Sequence, residues 1–174
     1  MDIQFWIEHS GSLFHQIFMI VMGGLYGMAF LFGSTYKVVN ILVYFILIPS
    51  SWIYLIGRKT SVWLNSISVV GLVTFFLFPN LSENCDYLFE RSVDFLNYTA
   101  EIFGSNYINM SVYICVVVVG LVYLVLLPLT LSRKTTKLIF GIGLIFTLLY
   151  LILIYPFFKD IMVYALEKRE HLLS

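Results

Sequence analysis

Charge is what this chain has least of. Only 11% of its 174 residues are Asp, Glu, Lys or Arg, against 60% hydrophobic residues and a mean hydropathy of +0.94. Soluble domains carry roughly 25% charged residues, so this chain has too few polar side chains to cover a water-facing surface. The formal net charge is zero, and no direct contact with nucleic acid is expected, because a basic footprint is missing. Cysteine is scarce as well: Cys85 and Cys115 make neither a disulfide framework nor a metal set. Cys115 falls in an apolar run and Cys85 in a loop by the sequence pattern, so no bridge between them is expected. The histidines, His9, His15 and His171, lie near the ends without metal-ligand spacing.

The middles of the apolar runs hold no Asp, Glu, Lys, Arg or His. That removes the usual parts of proton relays, voltage sensors and ion-coupled carriers. Intramembrane proteolysis by paired aspartates, or by serine with histidine, has no candidates. No phosphate-cradling glycine loop occurs, since Gly141-Ile142-Gly143 sits inside an apolar run. We expect no enzyme activity, no cofactor and no metal.

What the chain does have is length in its apolar runs. Ser111–Leu131 and Leu138–Phe158 are each 21 residues without a charge, separated by Ser132-Arg133-Lys134-Thr135-Thr136-Lys137. A bilayer core takes roughly 20 apolar residues as a helix, and only helices or closed barrels satisfy their backbone there. Val38–Gly57 and the shorter Val62–Pro79 form a similar pair about Arg58-Lys59-Thr60. The pattern predicts an all-α integral membrane protein of four to five transmembrane helices in one domain. Its parts are a spanning or re-entrant helix at 13–33, a first hairpin at 38–79, an extracytoplasmic amphipathic segment at 80–110, a second hairpin at 111–158 and a tail at 159–174. Met1–Glu8 lacks the basic region of a cleavable signal, so the first run is expected to remain.

Orientation follows from the basic residues. The two short turns at 58–60 and 132–137 hold Arg58, Lys59, Arg133, Lys134 and Lys137, half of all Lys and Arg. Basic short loops stay in the cytoplasm, so both turns are expected inside the cell's inner membrane. Asn80–Met110 carries Glu83, Asp86, Glu90, Asp94 and Glu101 against a single Arg91, and is expected outside. Trp52 and Trp63 flank the first basic turn, where an aromatic belt should lie. Whether Leu13–Gly33 spans decides between five crossings and four.

The two hairpins resemble each other. Val43-Tyr44-Phe45-Ile46-Leu47-Ile48-Pro49 is similar to Val122-Tyr123-Leu124-Val125-Leu126-Leu127-Pro128, and Arg58-Lys59-Thr60 to Arg133-Lys134-Thr135. Phe32-Gly33-Ser34-Thr35-Tyr36 matches Phe103-Gly104-Ser105-Asn106-Tyr107, and Pro79 and Pro156 close the hairpins. The offsets are 79, 75, 71 and 77 residues, so a duplication read this way needs gaps.

Polar residues in the runs are the candidate site. Asn40, Asn65, Ser68 and Thr74 either line a pore or solute path or make interhelical hydrogen bonds, which are worth about 0.6 kcal/mol each. Pro49 should kink its helix, with Ser50 and Ser51 able to meet freed carbonyls. Asp86, Glu90, Asp94 and Glu101 recur at helical spacing on one face of an amphipathic helix at 84–103. They would make an acidic mouth if several chains met about an axis, while the apolar face would cap the bundle. Gly23 and Gly27 have the small-xxx-small spacing of close helix contacts. Asn80, Asn97 and Asn109 each begin a glycosylation sequon.

The stretch from Phe32-Gly33-Ser34-Thr35-Tyr36 to Pro49-Ser50-Ser51-Trp52 resembles small multi-pass bacterial membrane proteins. In length and hairpin arrangement the whole chain is similar to the membrane protein that accompanies some type VI-B CRISPR effectors. That resemblance implies an anti-phage accessory role with a protein effector as partner, and transfers no residues. The expected function is a non-enzymatic accessory protein acting as a homo-oligomer in the lipid bilayer, pore-forming or regulatory. The alternative is a small-solute transporter built from a duplicated helical hairpin.

Overall fold

The computed structural model describes residues 11–77 and 79–164. Trp6, His9 and His171 lie outside these residues. The described residues form helices and no strand. We number six: α1 (Leu13–Leu31), α2 (Tyr36–Thr60), α3 (Val62–Leu77), α4 (Leu81–Ile102), α5 (Tyr107–Thr130) and α6 (Arg133–Tyr164). Four of them, α1, α2, α5 and α6, are long and apolar enough to cross a membrane. α3 is 16 residues, about 24 Å of helix. The chain bends by 110° between α3 and α4.

Local sequence explains where the helices stop and start. α1 ends at Gly33, whose φ of +60° suits a residue without Cβ. There the Ser34 N–H reaches back to the Ala29 carbonyl at 2.9 Å and the Gly33 N–H to Phe30 at 3.3 Å, a Schellman stop. Thr35 then caps α2, its hydroxyl accepting from the Val38 N–H at 3.3 Å. The second half repeats each step. Gly104 has φ +59°, the Ser105 N–H bonds the Ala100 carbonyl at 2.8 Å, and Asn106 caps α5 through the Asn109 N–H at 2.8 Å. Ser61 and Ser132 begin α3 and α6 by accepting from the Trp63 and Thr135 N–H groups, each at 3.3 Å.

The turn glycines Gly33 and Gly104, the capping residues Thr35 and Asn106, and Ser61 and Ser132 are each separated by 71 residues. The same spacing relates the buried clusters, Leu25, Ala29 and Val39 in one half and Leu96, Ala100 and Met110 in the other. It relates the π-helical stretches Leu42–Leu47 and Tyr113–Val118. The unit is therefore three helices, α1–α3 and α4–α6, in one ungapped register. Only the Phe-Gly-Ser match of the sequence comparison lies in that register. The proline match falls in another, since Gly120 stands where Pro49 does. Arg58-Lys59-Thr60 closes α2, whereas Arg133-Lys134-Thr135 opens α6.

The halves embrace across a local twofold relation. α1 packs on the start of α5, and α4 on the start of α2. Phe18 meets Tyr107 edge-on at 6.2 Å between ring centroids, and the equivalent pair, Phe89 with Tyr36, meets edge-on at 5.8 Å. Within the long helices the contact is made by Ile48–Thr60 and Val119–Thr130. Trp52 and Tyr123, equivalent positions, pack there with centroids 6.2 Å apart. Ser51 hydrogen-bonds the Tyr123 hydroxyl, and Lys59 Nζ donates to the Leu129 carbonyl at 2.9 Å.

Several expectations change. Trp52 is turned inward onto Tyr123, so of the two expected belt residues only Trp63 is strongly exposed, at 82%. Cys85 is buried in α4 rather than carried on a loop, and both cysteines are free. The irregular turn of α2 is π-helical and precedes Pro49; α5 has the same π turn without a proline. Ser51 Oγ donates to the Ile48 carbonyl at 2.7 Å, its own preceding turn. Of the sequon residues, Asn80 occupies the left-handed turn before α4, while Asn97 and Asn109 are inside helices.

Candidate functional site

The packing just described leaves a space. α2 and α5 touch from about Trp52 and Tyr123 to their basic ends, while their other ends are held apart by α1 and α4. Between them lies a half-open cavity of about 550 Å³. Ligand sites for small molecules fall at roughly 300–1,000 Å³ and are mostly apolar with a few placed polar groups.

The cavity is built from matching positions of the halves. Phe18 and Phe89, Leu25 and Leu96, Tyr36 and Tyr107, Asn40 and Ser111, Tyr44 and Cys115, and Phe45 and Val116 all line it in pairs. The walls are the two π turns, which widen each long helix where it faces the space; π turns recur at functional sites. α1 and α4 form the roof, and Trp52 lines the closed end. From Asn40 to Trp52 along α2 is about 18 Å.

Polar groups are a minority of the lining, and include the hydroxyls of Tyr36, Tyr44, Tyr107 and Ser111. Asn40 Nδ2 donates to the Tyr36 hydroxyl at 3.4 Å. Ser92 Oγ donates to the Leu88 carbonyl at 2.7 Å. Arg91 at the rim donates from Nε to the Tyr87 hydroxyl at 3.1 Å, with its guanidinium 5.3 Å from that ring. Trp52 Nε1 differs: it is buried and has no acceptor.

The residues singled out from sequence are dispersed by this arrangement. Asn40 lines the cavity. Ser68 is buried and donates to the Ser50 carbonyl at 3.1 Å, and the Asn65 side chain lies against Gly57. Both belong to the α2–α3 contact; Ser68 makes a hydrogen bond there, while the buried Asn65 Oδ1 has no hydrogen-bond partner. Thr74 is on the exposed face of α3. Asp86 and Glu90 face Lys37 at 3.8 and 3.3 Å, joining α4 to α2, whereas Asp94 and Glu101 are exposed. Gly23 and Gly27 are exposed, and a Cβ at either would meet nothing within 4 Å.

Outside the cavity, burial pushes the Cys85 thiol up, with Asp86 adding to the shift. Among the described residues no group of three His, Cys, Asp or Glu could hold a metal ion. Sequence reasoning missed Tyr36, Tyr107, Phe18, Phe89 and Trp52 as cavity residues. The signal was present in the shared Phe-Gly-Ser-x-Tyr, read in its own register alone. No protein-family model, curated protein or solved structure matches this chain.

Proposed function

We propose that this is a multi-pass membrane protein that binds an apolar small molecule between two duplicated halves and exchanges it with the bilayer. The cavity on the local twofold carries this reading, because both halves contribute the same positions to it. It refines the transporter alternative, with the π turns in place of the Asn65 and Pro49 region as the binding walls. A pore would have to form between copies, because α2 and α5 close on each other through Trp52 and Tyr123. An oligomeric accessory role in anti-phage defence draws no support from any contact within the chain.

In this reading the basic turns face the cytoplasm and four helices cross the inner membrane: α2, α3, α5 and α6. α1 does not cross. Its early residues meet the far end of α6, where Gln16 Nε2 donates to the Tyr155 carbonyl at 3.3 Å and Gln16 Oε1 accepts from the Tyr150 hydroxyl at 2.8 Å. Its later residues, Leu25 and Ala29, pack on Val39, one turn into α2. Both contacts lie at the end away from the basic turns, so α1 lies across the outer ends of the spans as α4 does.

The experiment is native mass spectrometry of the protein released from nanodiscs made directly from cell membrane. An apolar molecule held at one per chain, and lost from Val116→Phe while thermal stability is kept, supports the reading. A chain that retains and binds nothing contradicts it.

A further inference from the structure

Polar side chains line the two long walls of the cavity in order. On α2 they are Tyr36, Asn40 and Tyr44, and on α5 the equivalent Tyr107, Ser111 and Cys115. Steps of four residues keep each set on one helix face, so each wall carries a polar stripe about 12 Å long. Tyr36, Tyr44 and Tyr107 are all within electrostatic range of Cys115, so the stripes meet across the space. The Tyr36 hydroxyl accepts from Asn40 Nδ2 at 3.4 Å and keeps its own proton to donate. Among the described residues the half-buried Tyr44 and Tyr107 have no hydrogen-bond partner for their hydroxyls, and unlike Trp52 Nε1 these oxygens keep accessible surface.

Among the described residues that line the cavity there is no carboxylate, and the one ionised side chain, Arg91, stands exposed at the rim against Tyr87. A charged group held between the stripes would be buried unpaired, which costs far more than burying a neutral group that is hydrogen-bonded. Apolar side chains bound the stripes, those of α1 and α4 at the roof and Val119 and Trp52 toward the closed end. Resting on the binding role proposed above, we infer that the occupant is a neutral lipid whose uncharged, oxygen-bearing head lies between the two stripes and accepts hydrogen bonds from the Tyr44 and Tyr107 hydroxyls. Its tail follows the apolar walls. Both halves supply a donor, so a head with two or more hydroxyl or ester oxygens satisfies both, and a bare hydrocarbon satisfies neither.

The test compares three tritiated probes at equal concentration in nanodiscs: 1-octadecene with no head, 1-oleoylglycerol with a neutral head, and the 3-phosphate of 1-oleoylglycerol with a charged one. Scintillation proximity reads the excess of each probe held by discs carrying the full chain over empty discs. The expected order is 1-oleoylglycerol about tenfold or more above 1-octadecene, the worth of two hydrogen bonds, with the phosphate below 1-oleoylglycerol. Tyr44→Phe and Tyr107→Phe keep the rings and remove the hydroxyls. Each should lower the 1-oleoylglycerol excess about threefold to tenfold. The 1-octadecene excess should hold in both variants, which shows that the cavity itself is intact.

Equal excess of 1-oleoylglycerol and 1-octadecene would mean that the hydroxyls are only hydrated; it would overturn the head inference and leave the binding role standing. No excess of any probe would sink both. A preference for 1-oleoylglycerol that survives the double variant would overturn the assignment to Tyr44 and Tyr107. The phosphate held more tightly than 1-oleoylglycerol would give the head to Arg91 and overturn the neutral class.

Discussion

α1 and α4 occupy equivalent places and share almost no surface chemistry. α1 has a mean hydropathy of 1.5, high enough to pass for a membrane span. α4 carries five acids and Arg91. Both nevertheless stop at a glycine with positive φ, bury a leucine and an alanine four residues apart, and set an aromatic ring against the tyrosine that opens the other half's long helix. Their position in the fold is set by these terminal and buried residues. What differs is the outward face, glycine and aliphatic on α1 and ionised on α4. Average hydropathy therefore measures what a helix touches, lipid or water, and is silent on its direction.

The hairpins differ in the opposite way, alike in direction and unlike in closeness. α2 and α3 pack along their length, whereas α5 and α6 meet near their turn, where Thr136 Oγ1 donates to the Leu127 carbonyl at 3.3 Å. Gly57 permits the first contact: an added Cβ would overlap Asn65 Oδ1 and come within 3.1 Å of Leu64 Cβ. Gly57→Ala is expected to lower stability by about 1–3 kcal/mol through overpacking, read as thermal unfolding in nanodiscs. Gly23→Ala and Gly27→Ala, with open space around them, should be neutral or slightly stabilising. A loss at Gly23 comparable to that at Gly57 would mean that α1 has a partner in another copy, and would restore the oligomer reading.

The equivalence itself breaks or holds on the two turn glycines. Gly33→Ala and Gly104→Ala each force an L residue into the left-handed region, which destabilises by about 1 kcal/mol. Equal losses that add in the double variant are expected, since the sites are independent. A loss at one alone would show that the repeated backbone is not equally used. The smallest effect belongs to a contact with no counterpart, Lys37 with Asp86 and Glu90, because Ile108 stands at the matching position. Lys37→Met should cost less than about 1 kcal/mol, and the difference should vanish at high salt.

Much of the fold was legible in the sequence, and the site was not. Apolar run length found α2, α3, α5 and α6, and spacing of acids found α4 with its apolar face against the bundle, because those signals are local. The register was hidden because apolar segments align with one another in many ways. Pro49 with Pro128 is such a false match, while Phe-Gly-Ser-x-Tyr is informative because glycine and the cap have a geometric job. Trp52 was read as a belt residue since tryptophan near a basic turn usually is. Only packing tells that its ring faces Tyr123. Ser68 and Asn65 were visible as polar residues in apolar runs, but a contact between helices and a wall of a path look the same in one dimension.

The most direct test of the account is the sidedness of α1. Cys85 and Cys115 are replaced by alanine, single cysteines are placed at Gly11, just before α1, and at Lys134, in the second basic turn. Intact and permeabilised cells are then treated with a membrane-impermeant maleimide. If α1 lies across the outer ends of the spans, Gly11→Cys reacts on intact cells and Lys134→Cys only after permeabilisation. If both react only after permeabilisation, α1 crosses the membrane, its equivalence to α4 fails, and the roof over the cavity goes with it.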